Sequence, residues 1–110
     1  MNKSVLIGIA ASLSVCCTGA RALDDSQALA LMKTAGCAAC HSVDKKIVGP
    51  AYKDVAAKHK GEGDGAIPVL EKAVRTGSKG VYGPVPMIPT PVAKLSDEDL
   101  HALLQWVLSR

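Results

Sequence analysis

The segment Cys37-Ala38-Ala39-Cys40-His41 constrains this chain more than any other part of its sequence. Two thiols three positions apart, followed at once by an imidazole, form the C-x-x-C-H pattern that attaches a haem covalently. In a helical coil, Cys37 and Cys40 share a face, so both can reach one edge of the porphyrin and add to its vinyl groups. The imidazole of His41 would then bind the iron. The pattern therefore predicts one covalent haem c.

Three other uses of a cysteine pair fit the sequence less well. A thioredoxin-like redox pair belongs in a βαβ unit, and no strand-rich segment lies near Cys37. A structural zinc site needs two further ligands at metal spacing, but outside the motif only His59 and His101 remain among the histidines. A plain disulfide gives no reason for the histidine that follows Cys40.

The start of the chain has the features of a secretory signal peptide. Lys3 supplies a positive charge, an apolar stretch follows, and Ala20-Arg21-Ala22 fits an A-x-A cleavage site. The apolar stretch is too short to span a membrane. We therefore expect residues 1–22 to be removed, and residues 23–110 to reach the periplasm as one domain without stable insertion in the membrane.

Removal of this leader changes both the cysteines and the charge of the chain. Cys16 and Cys17 would leave with it; lipid attachment at Cys16 is the alternative, but Val15 just before it fits that signal poorly. Loss of the basic residues Lys3 and Arg21 lowers the net charge from +3 to +1. A net charge this close to zero is not typical of a nucleic-acid-binding protein.

The remaining chain divides into four helical segments separated by glycine and proline. Apolar side chains recur at helical spacing in each segment, and no alternating pattern argues for a sheet. The predicted helices are Ser26–Ala35, Ala51–Lys60, Pro68–Thr76 and a last one that starts at Ser96. A chain this short, without Phe, would build a marginal core alone, so we predict an all-α domain of four short helices around one haem.

The apolar pattern also predicts how the later helices face the core. Gly36 is placed to end the first helix, and Ser96 with Asp99 has the spacing of a capping box for the last. We expect one apolar stripe on each of the third and fourth helices, with Trp106 at the margin of the fourth. The stripes are Val69, Leu70, Ala73 and Val74, and then Leu100, Leu103, Leu104, Val107 and Leu108.

Met87 is the candidate for the second axial position of the iron. It lies between Pro86 and Ile88-Pro89, in a stretch too rich in glycine and proline for a regular helix, and the prolines would hold its thioether in a fixed place. Met32 lies on a helix stripe and is predicted to fill the core instead. His59 and His101 compete weakly for the position, since both lie in helices among polar neighbours.

Four stretches together resemble one known family. They are the C-x-x-C-H motif, the run Val48-Gly49-Pro50-Ala51-Tyr52-Lys53-Asp54-Val55-Ala56, the run Gly77-Ser78-Lys79-Gly80-Val81-Tyr82-Gly83-Pro84-Val85-Pro86-Met87, and Trp106-Val107-Leu108-Ser109. In this combination they closely resemble the small monohaem class I cytochromes c of proteobacteria, the cytochrome c-551 or c8 type.

This resemblance implies the cytochrome c fold, in which the first and last helices cross. It also implies a monomeric electron carrier of the respiratory chain rather than an enzyme. Such a carrier takes single electrons from a quinol-oxidising bc complex to an acceptor such as the cd-type nitrite reductase of denitrification, an oxidase or a peroxidase. With both axial positions filled, the haem has no open site for substrate chemistry.

The resemblance assigns roles to a few further residues. The Pro50 carbonyl is expected to accept a hydrogen bond from His41, and the Tyr82 hydroxyl, in place of a Trp of close relatives, to donate to a haem propionate. Thr90 stands where many members place an Asn that bonds the methionine sulfur.

Two other positions depart from the family pattern. Met32 replaces an aromatic residue that would contact Trp106. Ala73 stands where some relatives have an arginine that pairs with a propionate, and nearby Arg75 need not face the same way.

Two further functions and one surface stay open from the sequence. A small molecule could displace Met87 in a haem-based sensor, or the domain could be a haem subunit of a larger redox enzyme. A set of lysines could ring the haem edge and steer it toward acidic partners, or could form an ordinary solvated surface. These are Lys45, Lys46, Lys53, Lys58, Lys60 and Lys79.

Overall fold

The fold is built from four α-helices in sequence order. The computed structural model describes residues 21–110, so Cys16, Cys17 and nearly all of the predicted leader lie outside the described residues. Residues 21–110 contain two isolated antiparallel bridges and no strand. The helices are α1 (Asp25–Ala35), α2 (Tyr52–Lys58), α3 (Ala66–Thr76) and α4 (Asp97–Leu108), with short 3₁₀ turns at Cys37–Ala39 and Gly63–Gly65. The prediction of an all-α domain with four helices is confirmed.

Both ends of α1 are fixed by local side-chain and backbone bonds. Asp24 and Gln27 form a reciprocal capping box at its start, which the sequence analysis did not identify. At its end Gly36 adopts φ 84°, a left-handed conformation that glycine tolerates best, and its N–H donates to the Lys33 carbonyl. The predicted helix stop at Gly36 is confirmed, and it turns the chain directly into the cysteine motif.

The third helix begins earlier than expected, and one predicted core residue faces solvent. It starts at Ala66, so Pro68 lies in its first turn. Backbone N–H groups in the first turn have no acceptor within the helix, so a proline, which has no N–H, costs no hydrogen bond there. Val69 is 59% exposed, so its predicted place on the apolar stripe is wrong. Ile67, two positions earlier and on the opposite side of the helix, is buried together with Leu70.

Helix α4 is the central element, because it packs against α1, α2 and α3. The Ser96 hydroxyl caps it by accepting from the Asp99 N–H at 3.1 Å, while the Asp99 carboxylate accepts from Arg21 instead of closing the predicted capping box. Its buried residues are Leu100, Ala102, Leu103, Leu104, Trp106 and Val107. Among residues 21–110, no helix has the length and apolar character that a membrane crossing requires.

Trp106 connects the two ends of the domain. It is 5% exposed, so it belongs to the core and not to the margin predicted for it. Its indole N–H donates to the Asp25 carboxylate at 2.9 Å, and the same oxygen accepts from Arg110 at 2.9 Å. The Arg110 guanidinium also lies over the indole ring, 4.3 Å from the ring centre. A polar contact at the surface therefore links Trp106 on α4 to the start of α1, while its ring packs edge-on against Tyr52 in the core.

The Asp25 carboxylate should stabilise this contact only while it is ionised. The pKa of Asp25 is lowered, first by the hydrogen bond from Trp106 and then by the charge of Arg110. Its stabilising effect is therefore present above the ordinary value of 3.8 and is lost as the pH falls through the lower folded-state pKa. Asp25→Asn keeps an acceptor for Trp106 without the charge. We expect it to be less stable than the wild type near about pH 7, with a smaller difference near about pH 2.

Urea unfolding curves at the two pH values measure this effect. Asp64→Asn is the matched control, because Asp64 is an exposed carboxyl on the Gly63–Gly65 turn. A stability difference for Asp25→Asn that is the same at both pH values would contradict the prediction.

Candidate haem site

The cysteine motif occupies a tight turn directly after α1. Cys37–Ala39 forms a 3₁₀ turn, and the N–H groups of Cys40 and His41 both donate to the Cys37 carbonyl, at 3.1 and 2.9 Å. In 3₁₀ geometry, residues three apart project in the same direction, which places the two cysteines on one side of the turn. Both are free thiols and are half-buried. The turn is 3₁₀ rather than α-helical, but it gives the shared face that the spacing predicts.

The imidazole of His41 is held on three sides. Its ring stacks on the Tyr52 ring, with centroids 5.1 Å apart and planes 20° from parallel. Its Nδ1 lies 2.8 Å from the Pro50 carbonyl oxygen. Because a carbonyl only accepts, Nδ1 carries the proton and Nε2 keeps a lone pair for a ligand.

Gly49 closes the third side of this ring. A Cβ at position 49 would lie 2.6 Å from the His41 Cε1 atom, so only a glycine fits there without moving the ring. The Gly49 N–H also donates to the Cys40 carbonyl at 2.7 Å, which fastens this loop to the cysteine turn. The close approach of Gly49 to His41 was not predicted, although the Gly49-Pro50 pair signals a tight loop.

The Met87 loop is held by its backbone. Ser78 and Met87 form an antiparallel bridge, with N–H to carbonyl distances of 3.1 and 2.8 Å. Gly77 has φ 84°, and a Cβ there would lie 2.8 Å from the Met87 carbonyl oxygen. Beyond the methionine, the Thr90 N–H donates to the Val74 carbonyl at 2.7 Å. The end of α3 therefore fixes the loop both at Met87 and three residues after it.

Arg75 fastens the same loop to the start of α4. Its guanidinium donates to the carbonyls of Thr90 and Leu95, at 3.1 and 2.8 Å, and to the Asp97 carboxylate at 2.7 Å. The side chain is 19% exposed. Arg75 therefore bonds to these two carbonyls and to the Asp97 carboxylate, and it lines no part of the cavity described below. Nothing in the local sequence indicated this role, because its three acceptors lie 15 to 22 residues away.

A largely apolar cavity lies between the cysteine turn and the Met87 loop. The empty space, with its open mouth included, measures about 810 Å³. Its wall includes predicted site residues from both sides and core side chains of the helices. These are Cys37, His41, Pro50, Tyr82 and Met87, together with Tyr52, Val55, Leu70, Leu95, Leu100, Leu103, Leu104 and Val107.

A second groove of about 1080 Å³, open solvent included, adjoins this cavity, and Cys37, His41, Val85 and Met87 line both. Cys40 and Thr90 line the groove, so the structure gathers all the predicted site residues around one continuous space. His59 and His101 are outside it. His101 instead lies on the surface, with Nδ1 2.9 Å from Glu71.

Burial decides the charge state of the groups at the cavity wall. Burial raises the pKa of the Cys37 thiol, and the nearby backbone bond only partly offsets this. The pKa values of the Tyr52 and Tyr82 hydroxyls are also raised, mainly by burial. All three groups are therefore uncharged near neutral pH. They add no charge to the cavity wall that would disfavour the binding of an apolar macrocycle.

The residues fit a covalently held haem. The cavity offers apolar contact, a lone pair on an imidazole nitrogen, a thioether and a pair of thiols on one side of a turn. A sequence model of the cytochrome c family matches residues 26–110.

The chain belongs to the cytochrome c family. It is a small class I cytochrome c of the c-551 type, and its cofactor is covalently bound haem c. Cytochrome c-551 of Pseudomonas aeruginosa is 44% identical over 110 residues, covering 100% of this chain and 99% of that protein. Cytochrome c-551 of Stutzerimonas stutzeri is 52% identical over 80 residues, covering 73% of each chain.

Solved structures support the same fold for this cytochrome c. The crystal structure of wild-type cytochrome c552 from Nitrosomonas europaea superimposes with a TM-score of 0.66 at 43% identity, covering 74% of this chain and 96% of that one. The class 1 cytochrome MtoD from Sideroxydans lithotrophicus gives a TM-score of 0.64 at 33% identity, covering 80% and 97%. The predicted cytochrome c fold is confirmed. The prediction of a small electron-carrier cytochrome is confirmed as well.

Gly77 should be needed for its close approach to Met87 as well as for its backbone conformation. Gly80 has a similar φ of 79°, but a Cβ there meets nothing within 4 Å. Gly77→Ala and Gly80→Ala therefore both place an alanine at positive φ, which costs about 1–3 kcal/mol, and the ψ of 169° at Gly77 lies in a region that is essentially restricted to glycine. We expect Gly77→Ala to lose about 1–3 kcal/mol more, because its Cβ collides with a carbonyl held in the bridge. Urea unfolding of the holoprotein measures both variants, and equal losses would contradict the prediction.

Proposed function

We propose that this cytochrome c is a periplasmic carrier of single electrons whose iron is bound axially by His41 and Met87. The observation that carries the proposal is that His41, Met87 and Cys37 line the same cavity, although they come from two loops far apart in the sequence. When bound, haem c supplies a one-electron couple without substrate chemistry.

Cys37 and Cys40 would hold the porphyrin through thioether bonds. Their place on one side of a 3₁₀ turn supports this assignment, since both sulfurs can then reach one edge of a flat ring. The turn follows a helix stop at Gly36, so the attachment point is rigid relative to α1.

His41 would bind the iron through Nε2. The hydrogen bond from Nδ1 to the Pro50 carbonyl supports this, because it fixes the tautomer, orients the ring and makes Nε2 a stronger donor. Stacking on Tyr52 and the close approach of Gly49 restrict rotation of the ring. Pro50 therefore acts on the iron through His41.

Met87 would fill the opposite axial position through its sulfur. The bridge to Ser78 and the contact with Gly77 restrict its backbone, as a ligand position requires. Ligation by His and Met raises the reduction potential and leaves no open site, which suits electron transfer. Thr90 lines the same groove as Met87 and would take the place of the Asn that other members of the family direct at the sulfur.

The edge of the site has the character of a transient docking surface. Val48, Val85 and Ile88 are 49%, 58% and 76% exposed and line or border the groove that contains Cys40. Exposed apolar side chains beside a redox centre favour small, short-lived contacts with other redox proteins. We propose that the donors and acceptors are a quinol-oxidising bc complex and a nitrite reductase, oxidase or peroxidase, and that the carrier is monomeric.

The predicted lysine ring is not uniform around this edge. Lys46 approaches the loop at Gly83, and Lys58 lies over the Tyr82 ring at 5.5 Å, so both are close to the cavity. Lys53 pairs with Asp44, and Lys60 lines a separate groove. Lys46 and Lys58 are therefore the best placed to attract an acidic partner.

Substitution of Met87 tests the proposed ligand set. Met87→Ala should abolish the charge-transfer band between methionine and ferric iron, allow carbon monoxide to bind the ferrous protein, and lower the reduction potential by on the order of 0.1 V. Met32→Leu is the control, because Met32 is a buried core residue outside the cavity and should leave all three readouts unchanged. A band that survives Met87→Ala would exclude Met87 as the ligand.

Charge reversal tests lysine steering. Lys46→Glu should slow electron delivery to an acidic partner about three- to tenfold at low ionic strength, and the effect should fade at high salt as charges are screened. Lys72→Glu makes the same charge change on α3, where Lys72 lines a surface groove away from the cavity, and should have a smaller effect. Rates that are independent of ionic strength in the wild type would rule out steering.

A further inference from the structure

A cluster of ionisable side chains connects the cavity wall at Tyr82 with His59, which has no role in holding the haem. His59 ends α2, and its side chain is 10% exposed. Its Nδ1 lies 2.7 Å from a Glu62 carboxylate oxygen, and its Nε2 lies 3.5 Å from the Tyr82 hydroxyl. Tyr82 lines the cavity, whereas His59 lines a groove on the other side. The cluster therefore connects the solvent side of α2 with the cavity wall.

The protonation state of His59 determines the direction of the bond to Tyr82. A carboxylate only accepts, so the His59 Nδ1–H donates to Glu62 in both states. In neutral His59, Nε2 carries a lone pair and accepts the hydrogen of the Tyr82 hydroxyl. In protonated His59, Nε2–H is a donor, so the Tyr82 oxygen must accept and its hydrogen must turn away. At 3.5 Å this contact lies at the long limit of a hydrogen bond.

We propose that His59 is a positioning residue for Tyr82, and that protonation of His59 turns the Tyr82 hydroxyl toward the cavity and makes the reduction potential depend on pH. The inference rests on the proposed function, since the potential belongs to the haem that His41 and Met87 would ligate. It assigns to His59 a role distinct from axial ligation.

Charged side chains surround the pair formed by His59 and Tyr82. Glu62 pairs with His59, the charges of Glu62 and Asp54 act on Tyr82, and Lys58 lies over the Tyr82 ring. Lys53, Lys60, Asp64 and Arg110 line the same groove as His59. Burial, then Glu62 and Asp54, raise the pKa of Tyr82, so the hydroxyl keeps the proton that it directs either to His59 or into the cavity.

Both consequences of protonation change the potential in the same direction. The positive charge on His59 disfavours the oxidised state, which carries one more positive charge than the reduced state. A hydroxyl that donates into the cavity offsets negative charge on a carboxylate of the cofactor, with the same result. The potential should therefore be highest when His59 is protonated and should fall as the pH rises and His59 loses its proton.

Linkage requires a reciprocal effect on the proton. If protonation favours the reduced state, reduction must strengthen proton binding at His59 by the same factor. We expect that factor to be about three- to tenfold, and a tenfold change corresponds to about 59 mV for a one-electron couple. Nuclear magnetic resonance titration of the His59 ring protons in the reduced and the oxidised holoprotein measures it.

The main experiment is redox titration of the holoprotein from about pH 5 to 8 for the wild type and three variants. His59→Gln can accept from Tyr82 and donate to Glu62 as neutral His59 does, so it should hold the potential at its high-pH value throughout. Tyr82→Phe should retain a smaller pH dependence, due to the charge on His59 alone. His101→Gln is the matched control, because His101 also pairs with a glutamate but lies on the surface outside the cavity.

The outcomes separate this inference from the proposed function. The inference fails if the potential of His59→Gln varies with pH as the wild type does, because the titrating group would then be another one. The role of the Tyr82 hydroxyl is contradicted if Tyr82→Phe leaves the pH dependence of the potential unchanged. A holoprotein that lacks the charge-transfer band between methionine and ferric iron would contradict the ligand assignment. A normal band with a pH-independent potential would contradict only the role of His59.

Discussion

The hydrophobic core and the wall of the cavity are made by the same side chains. Val55 on α2, Leu70 on α3 and the leucines of α4 are buried against each other and also line the cavity. A chain with no Phe and one Trp has few large groups with which to fill that space. A bound macrocycle supplies the missing apolar contact, so loading of the cofactor and stability of the fold are coupled. The positions of the helices matter to the site because α2, α3 and α4 each contribute to its wall.

Two loops reach this cavity by different means. The His41 side is local: Gly49, Pro50 and Tyr52 surround the ring from positions within eleven residues of it, so that a short stretch of chain orients the imidazole. The Met87 side depends on contacts with the end of α3 and, through Arg75, with the start of α4. The geometry of the methionine therefore follows the packing of two helices, whereas that of the histidine follows one turn.

Local features were predictable from the sequence, and long-range ones were not. The C-x-x-C-H spacing, the stop at Gly36 and the apolar periodicity indicate the four helices and the cofactor, because each depends on neighbours a few residues away. Val69 was misplaced since the true start of α3 set a different stripe, and Trp106 was misjudged because its partner Asp25 comes from the other end of the chain.

The contacts that hold Met87 illustrate the same limit. The pairing of Ser78 with Met87 and the three acceptors of Arg75 have no signature in the nearby sequence. The resemblance to a family added the roles of Pro50, Tyr82 and Thr90 to a ligand pair already indicated by the motif and the prolines around Met87, because it encodes contacts that single residues do not reveal. It carried no information on His59, whose neighbours Glu62 and Tyr82 were brought together by the fold.

The bond between Trp106 and Asp25 joins residues 81 positions apart, and this separation bears on the order of assembly. A chain that emerges from its amino end exposes the cysteine turn while α4 has still to appear. Cys37 packs against the core cluster to which α4 contributes Leu100, Leu103 and Leu104, so it has fewer apolar neighbours in the partly folded chain than in the finished domain. The cysteine turn is therefore more accessible to a reaction partner before α4 has docked than afterwards.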